Sequence, residues 1–221
     1  MMDTQLTIAV NKGRILEELL PLFEKVGIVP VEDIKTSRKL LFETQSGNIR
    51  LVIMRSSDVP VYVEQGAADL GITGKDTLLE YAGSDYYEKL DLQIAKCRIM
   101  TAAPVGRGAK DRSHDGPLRV ASKYVRIAQK YYAEQGIQVK LIKLSGAMEI
   151  APLMNIADEI VDIVDTGNTL VANGLEARET ICHVSSRVIV NRASMKLKLS
   201  AIQSLLGKLK TVCSAEPCGG T

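Results

Sequence analysis

The sequence predicts an α/β fold built on mainly parallel sheets, and three observations support this prediction. Short apolar strands, polar turns and helical segments alternate from the first residues onward. A polar stretch rich in Gly and charge, residues 106–117, separates two such regions and predicts a mobile loop. The 221 residues, 46% of them hydrophobic, suffice for two modest lobes. We therefore expect two α/β lobes with a ligand cleft between them.

The first lobe begins with an apolar strand at residues 6–10, followed by a turn at residues 11–14. The next helix has its apolar residues on one face and ends at Gly27. Apolar runs then predict a strand at residues 49–54, a helix at 59–65 that Gly66 stops, and a short buried strand at 70–72.

The second lobe repeats the alternation of strands and helices. A strand suited to crossing between the lobes is predicted at residues 91–103. Beyond the polar loop, apolar runs predict a strand at residues 118–121, a helix at 124–134, a strand at 139–144, a strand at 160–164 and return strands at 181–190. Ser194 is expected to cap a last helix that packs on the first lobe.

These elements define the predicted domains. Lobe I comprises residues 1–91, with residues 178–210 returning to it, and lobe II comprises residues 92–177. Residues 211–221 are rich in Gly and without a pattern, which predicts a disordered tail.

Composition excludes several classes of protein. A formal charge of +2 gives no reason to expect wholesale binding of nucleic acid or membrane, and 4% aromatic residues without Trp argue against stacking platforms for single strands. No signal-like start and no bilayer-length apolar run is present, so we expect a cytoplasmic protein. The cysteines lack metal-ligand spacing, and free thiols without a protein-held metal are expected: Cys97, Cys182, Cys213 and Cys218.

The most informative segment is residues 158–175, where a strand carrying spaced carboxylates runs into a turn. Asp162 interrupts an otherwise β-branched strand, and a carboxylate there is costly unless it is paired or used. The turn that follows has a Gly for close approach, side-chain donors and a short helix, features that suit a phosphate: Asp165, Thr166, Gly167, Asn168, Thr169 and Leu170. For the turn by itself, an ordinary helix cap at Asp165 or Thr166 is about as well supported.

Basic residues lie at strand ends or turns in the first lobe. Lys12 and Arg14 flank a strand-to-helix turn, and Arg38 and Arg55 follow in other turns. Guanidinium groups suit polyphosphate, although a solvated basic turn is the better interpretation of any one of these positions by itself. Glu149 fits either a second carboxylate for ribose hydroxyls or an acid in the first turn of a helix, and the local sequence favours the second.

With these segments placed, the chain resembles the short form of ATP phosphoribosyltransferase from about residue 6 to 209. Five stretches carry the resemblance: Asn-Lys-Gly-Arg-Ile at 11–15, Ser-Arg-Lys-Leu at 37–40, residues 55–74, Ser-Gly-Ala-Met-Glu at 145–149, and residues 158–175. Two departures are Asn11, where many members have Pro, and Asn155-Ile156, where Gly-Leu is usual, which would alter the bend before Asp158.

The resemblance implies the first step of histidine biosynthesis: transfer of phosphoribosyl from phosphoribosyl pyrophosphate to N1 of ATP, releasing pyrophosphate. It also implies a type II periplasmic-binding-protein-like fold of two lobes with the active site in the cleft. By carry-over, residues 165–170 bind the 5-phosphate, and Glu149 and Asp162 bind the ribose. Lys12, Arg14, Arg38 and Arg55 bind the pyrophosphate and the ATP phosphates, and Arg14 and Arg38 act catalytically on the leaving group. Magnesium accompanies the pyrophosphate.

The resemblance also implies partners. Long forms carry a further C-terminal domain that binds histidine, and this chain is expected to lack it. Short forms instead assemble dimers of the catalytic chain with a regulatory subunit similar to histidyl-tRNA synthetase in a hetero-octamer.

Two other functions remain open from the residues. A two-lobe solute-binding or sensor module shares the predicted architecture and predicts tight binding without turnover. A nucleobase-salvage phosphoribosyltransferase predicts use of free adenine instead of ATP. Basic turns in one lobe and a phosphate-type turn in the other indicate two anionic substrates. This argues against the solute-binding or sensor module.

Overall fold

The computed structural model describes residues 5–106 and 116–215, in two compact units. Unit 1 comprises residues 1–95 and 185–221, and unit 2 comprises residues 96–184. The chain therefore passes between units at 95/96 and 184/185, a few residues later than the predicted lobe boundaries at 91/92 and 177/178. The second difference arises because residues 175–184 form one continuous strand that belongs to unit 2.

Unit 1 is a six-stranded sheet with helices. Its elements are β1 (Leu6–Asn11), α1 (Arg14–Lys25), β2 (Leu41–Glu43), β3 (Ile49–Met54), α2 (Val59–Glu64), β4 (Leu70–Gly74), α3 (Lys75–Glu80) and β5 (Tyr86–Asp91). The elements that return to it are β11 (Ser186–Asn191), α7 (Arg192–Leu197) and α8 (Leu199–Ala215). The strand order is β2-β3-β1-β4-β11-β5, with β1 parallel to β3 and β4, and β2 and β11 antiparallel to their neighbours.

The core of unit 1 forms where α1 and α8 cover the sheet. Leu19 and Phe23 of α1 are fully buried against the strands, and Ile202 and Leu209 of α8 join the same cluster. Apolar residues three or four apart share a helix face, which is why both helices present one apolar side to the strands. The predicted packing of the last helix on the first lobe is confirmed.

Unit 2 is a five-stranded sheet. Its elements are β6 (Cys97–Pro104), β7 (Leu118–Ser122), α4 (Val125–Glu134), β8 (Val139–Lys143), α5 (Ile150–Leu153), β9 (Glu159–Val164), α6 (Asn168–Ala172) and β10 (Leu175–Val184). The strand order is β10-β6-β9-β7-β8. Strand β7 is parallel to β8 and β9, whereas β6 is antiparallel to β9 and β10. The alternation of strand and helix thus gives parallel pairs in both units, as the sequence predicts.

Three local predictions were wrong. The strand expected over residues 91–103 is broken, because Gln93 and Ala95 have positive φ angles of 58° and 50°, which extended strands do not allow. Asn191, not Ser194, caps the helix after β11, since its side chain accepts a hydrogen bond from the Ser194 N–H at 2.8 Å. Helix α8 continues to Ala215, so residues 211–215 are helical rather than disordered.

The departure at Asn155 keeps the bend before β9. Asn155 has a φ of 54°, a left-handed conformation that Asn tolerates better than most residues. Arg119 donates hydrogen bonds to its main-chain oxygen at 2.8 Å and its side-chain oxygen at 3.0 Å. The same guanidinium pairs with the buried Asp158 at 2.9 Å. An Asn in place of the usual Gly is therefore stabilised by contacts of its side chain.

The cysteines of the described residues form no disulfide: Cys97, Cys182 and Cys213. Cys218 and the rest of residues 216–221, as well as residues 107–115 of the predicted loop with His114, lie outside the described residues. Among the helices of the described residues, none has the length and apolar character needed to cross a membrane.

Candidate active site

The carboxyl ends of β1 and β3 form one part of the site in unit 1. These strands are parallel, with Asn11 beside Met54, so the turns that follow them lie at the same sheet edge. The Lys12 N–H donates to the Met54 carbonyl at 3.0 Å, which fixes the first turn against the second. Gly13 has a φ of 83°, a conformation that favours glycine, and α1 begins directly after it. Lys12 and the exposed Arg55 are thereby placed on neighbouring turns.

Arg38 reaches the same edge through the antiparallel strand β2. The Ile53 N–H donates to the Leu40 carbonyl at 2.8 Å, so the residues just before β2 lie beside the end of β3. A cavity of about 360 Å³ opens there. Its polar lining comes from Lys12, Glu17, Lys35, Ser37, Arg38 and Lys39, and its apolar lining from Leu16, Ile34 and Ile53.

Positive charge in this cavity is incompletely neutralised. Lys39 pairs with Glu32 at 2.5 Å. Within residues 5–106 and 116–215, the side chains of Lys12, Lys35 and Arg38 make neither a hydrogen bond nor an ion pair. Three such cations against the one lining carboxylate of Glu17 suit an anion with several charges. Lys35 is a cavity residue that the sequence reasoning did not single out.

Arg14 is placed differently from Lys12 and Arg38. It begins α1, lies outside the cavity lining, and its Nε donates to Glu18 Oε1 at 2.8 Å. The other Glu18 oxygen accepts the Ala95 N–H at 2.7 Å. Burial acts to raise the pKa of Glu18, but these hydrogen bonds outweigh it and lower the pKa. Glu18 therefore holds Arg14 at the start of the helix and also anchors the last residue of unit 1 before the crossing.

In unit 2, three parallel strands end at a common edge. Strand β7 is followed by Lys123, β8 by the loop 145–149, and β9 by the turn 165–170. The predicted binding segments 145–149 and 165–170 thus follow strands that lie on either side of β7. Lys123 joins them because of the strand order, which no local pattern in the sequence reveals.

The turn after β9 has the conformation expected of a close-approach site. Gly167 is left-handed, with a φ of 85°. Asp165, Thr166, Asn168 and Thr169 are exposed, and the Asn168 N–H makes a long contact of 3.4 Å with Thr166 Oγ1. Leu170 is buried in the core at 4% exposure, so only its main chain is available to a ligand.

Asp162 lies half-buried in β9 and accepts the Ile163 N–H at 2.8 Å. Burial raises its pKa to about 6, the Ile163 hydrogen bond opposes the rise, the negative charge of Glu149 adds to it, and the positive charge of Lys123 opposes it. Asp162 and Glu149 are therefore close enough to interact, although one lies in β9 and the other in the loop after β8. Glu149 thus stands at a helix start, that of α5, as the local sequence favours, but without a capping hydrogen bond.

Within the two described ranges, no three His, Cys, Asp or Glu side chains are grouped so as to hold a metal ion. The described residues therefore provide no cage of protein ligands for a divalent cation, and phosphate oxygens are the other ligand that magnesium prefers.

Comparison with known proteins agrees with this geometry. Residues 55–211 match the HisG family model, described as ATP phosphoribosyltransferase. An ATP phosphoribosyltransferase from Teredinibacter turnerae is 64% identical over 203 residues, covering 92% of this chain and 93% of that protein. Another from Pseudomonas putida is 55% identical over 214 residues, covering 97% of this chain and 100% of its own length.

Solved structures show the same relationship. The ATP phosphoribosyl transferase (HisG:HisZ) complex from Thermotoga maritima matches with a TM-score of 0.81 and 32% identity, over 96% of this chain and 100% of that one. The periplasmic aliphatic sulphonate binding protein SsuA from Escherichia coli matches with a TM-score of 0.63, over 96% of this chain and 73% of that one. At 16% identity the second match shows the periplasmic-binding-protein-like fold alone. The chain belongs to the ATP phosphoribosyltransferase family.

Proposed function

We propose that this chain transfers the phosphoribosyl group of phosphoribosyl pyrophosphate to N1 of ATP, the first step of histidine biosynthesis. Family membership supports the reaction. The observation that supports the site is that the carboxyl ends of the two sheets present different chemical groups. Unit 1 offers uncompensated cations in a cavity, and unit 2 offers a carboxylate pair with a left-handed Gly turn.

In unit 2, Asp162 and Glu149 would accept hydrogen bonds from the ribose hydroxyls. The turn of residues 165–170 would bind the 5-phosphate through the exposed Thr166, Asn168 and Thr169 and through main-chain N–H groups. Gly167 permits the phosphate to approach the backbone because it has no side chain. Another residue at this position would also be strained at the positive φ.

In unit 1, Lys12 and Arg38 would bind the pyrophosphate and the ATP phosphates in the cavity, with Arg55 on the neighbouring turn. Pyrophosphate gains negative charge on the oxygen that joined it to the ribose as that bond breaks. Cations placed there stabilise this transition state more than the ground state. This is the role proposed for Arg38, which lines the cavity, and for Arg14, which begins α1 outside the cavity lining.

Nucleophilic attack requires little proton transfer. Adenine N1 carries an unprotonated lone pair near neutral pH, so positioning matters more than a general base. Attack from the side opposite to the departing pyrophosphate inverts the anomeric carbon. The ionised Asp162 and Glu149 would also lie near the positive charge that develops on the ribose ring.

Magnesium is proposed to reach this site with the pyrophosphate and ATP phosphates. The absence of a three-residue carboxylate, His or Cys group in the described ranges fits an ion that takes most of its ligands from phosphates and water. When bound, the ion neutralises phosphate charge as pyrophosphate departs. Lys12, Lys35 and Arg38 supply the remaining positive charge from the protein.

The proposed partner is a regulatory subunit. The related Thermotoga maritima structure is a HisG:HisZ complex and aligns with 96% of this chain. We infer an assembly in which dimers of this chain combine with a subunit similar to histidyl-tRNA synthetase in a hetero-octamer, in the cytoplasm.

One assay tests the function directly. The purified chain, alone and with its regulatory subunit, is incubated with ATP, phosphoribosyl pyrophosphate and magnesium, and phosphoribosyl-ATP and pyrophosphate are followed. Equal release of the two products is expected. Turnover of free adenine instead of ATP would identify a salvage enzyme, and tight binding without turnover would identify a sensor.

Arg14→Ala is expected to lower kcat by about a hundredfold with a smaller change in KM, because its charge would act mainly on the leaving group in the transition state. Steady-state kinetics in both substrates measure this. An unchanged kcat with a raised KM would contradict the role.

Glu18→Gln is the matched control for Arg14. Its amide oxygen can still accept the Ala95 N–H, while the ion pair to Arg14 is lost and the Arg14 charge remains. We expect kcat to stay within about threefold of the wild type, as for loss of one exposed ion pair. A loss as large as that of Arg14→Ala would show that the pair matters for structure rather than charge.

A further inference from the structure

Among the described residues of unit 2, Lys123 is the cation whose charge lowers the pKa of Asp162. The parallel pairing of β7 and β9 runs Val120 with Glu159, Ala121 with Ile160 and Ser122 with Val161. Lys123 lies in the bend directly after β7, and Asp162 follows Val161 in β9. The two residues therefore neighbour each other at the carboxyl end of this strand pair.

The backbone around Lys123 is held in place by a buried serine. Ser122 is 1% exposed, its Oγ donates to the Val161 carbonyl at 2.6 Å, and it accepts the Tyr124 N–H at 2.8 Å. Both neighbours of Lys123 are thus tied, one to β9 and one to Ser122. The Lys123 ammonium also lies 5.6 Å from the Tyr124 ring centroid, which restricts the side chain further.

No carboxylate of the described residues forms a direct ion pair with Lys123. Across residues 5–106 and 116–215 its ammonium forms no hydrogen bond and no ion pair within 4.0 Å, and the residue itself is exposed. Its effect on Asp162 is therefore exerted through space. The charged groups that act on Asp162 are Glu149 from the loop after β8 and Lys123 from the end of β7, while β6 places the uncharged Met100 opposite it.

We propose that Lys123 is a positioning residue for the ribose end of the site: its ammonium keeps the Asp162 carboxylate ionised beside Glu149, ready to accept hydrogen bonds from ribose hydroxyls. This inference rests on the proposed function and extends it to a residue outside the expected binding set. Two carboxylates that share one hydroxyl-binding site repel each other, so one of them takes up a proton unless a cation is near. Lys123 is that cation.

Lys123→Met tests this role through pH dependence. Affinity of the full chain for phosphoribosyl pyrophosphate is measured by calorimetry from about pH 5.5 to pH 9. Removing the cation should move the acid limb of the variant upward by about one pH unit relative to the wild type. Affinity should then be about threefold weaker near pH 6.5 and equal to wild type near pH 9. Titration of the ligand's own phosphates affects all variants alike and cancels in the comparison.

Controls separate charge from structure. Lys123→Arg keeps the charge and should restore the wild-type profile. Lys140→Met removes an exposed cation from β8, away from the carboxyl edge, and should leave the profile unchanged. Affinity of Lys123→Met that is weaker by the same factor at every pH would overturn the proposal in favour of a direct substrate contact. An unchanged profile would overturn it as well.

A second measurement does not depend on substrate. Carbon NMR of the Asp162 carboxyl in the free chain should show its titration midpoint moving upward in Lys123→Met and returning in Lys123→Arg. A midpoint that does not move overturns the inference while leaving the proposed function intact. If the midpoint moves in Lys123→Met but the wild-type chain does not bind phosphoribosyl pyrophosphate, both the proposed function and the role assigned to Lys123 in it are overturned.

Discussion

Asp162→Asn is expected to stabilise the free chain at neutral pH while weakening its binding of phosphoribosyl pyrophosphate. The folded Asp162 has a pKa raised by burial to about 6, whereas an unfolded Asp titrates near its ordinary pKa of 3.8. Between these two values the unfolded chain releases its proton first, so the free energy of unfolding falls as pH rises. Above about pH 7 the penalty is complete, at roughly 2 to 3 kcal/mol.

The Asn variant removes this penalty because it has no proton to lose. Urea unfolding should therefore show a stability gain near pH 7.5 that shrinks toward zero below about pH 3, where Asp162 is protonated in both states. Asn retains one oxygen but carries no charge, so hydrogen bonds to ribose hydroxyls weaken. Calorimetry should show affinity for phosphoribosyl pyrophosphate reduced by about tenfold or more, the loss expected for a charged acceptor.

An exposed carboxylate provides the control for Asp162. Glu134→Gln breaks a surface i,i+4 contact of 3.8 Å with Lys130. Its stability should stay within about 0.5 kcal/mol of wild type at both pH values, with affinity unchanged. If the affinity of Asp162→Asn is unaltered, Asp162 does not take part in binding. If the variant is less stable than the wild type at pH 7.5, interactions of the ionised carboxylate outweigh the cost of its burial.

The sequence predicts the turns at the carboxyl ends of the strands, because the signals for these turns are local. The β-branched strand before Asp165, the turn at Gly167 and the turn at Gly13 each depend on a few adjacent residues, and the structure has them where expected. Alternation of strand and helix then predicts parallel strands with sites at their carboxyl ends.

What the sequence could not predict depends on distant contacts. Lys123 meets Asp162 only because β7 pairs with β9, and Arg14 is turned to Glu18 while Lys12 lines the cavity. The cap at Asn191 was missed because Ser194, an equally good capping residue, instead donates its hydroxyl to Asp69 at 2.6 Å. Helix α8 was predicted too short because its last turn packs Cys213 against the unit 1 core in a segment without a clear pattern.

Asp69 itself organises the edge of unit 1 opposite to the cation cavity. Its side chain is 8% exposed and accepts hydrogen bonds from the Thr7 N–H at 2.8 Å, Ser194 Oγ at 2.6 Å and Lys198 Nζ at 2.8 Å. Lys198 also donates to the Gln5 carbonyl at 2.8 Å. One carboxylate thus joins the beginnings of β1 and β4 to the returning helix α7.

Asp69→Ala is expected to destabilise the chain by about 3 to 5 kcal/mol, because it leaves a part-buried ammonium, a buried hydroxyl and a buried N–H without their acceptor. Lys198→Met should cost less, since Asp69 keeps two neutral donors, and Lys208→Ala on the exposed side of α8 should change stability by no more than about 0.5 kcal/mol. Urea unfolding of the single and double variants measures the coupling of Asp69 with Lys198. Because the cluster lies at the opposite ends of the strands from Lys12 and Arg55, KM at low temperature should stay near the wild-type value. A raised KM with unchanged stability would place Asp69 in substrate binding instead.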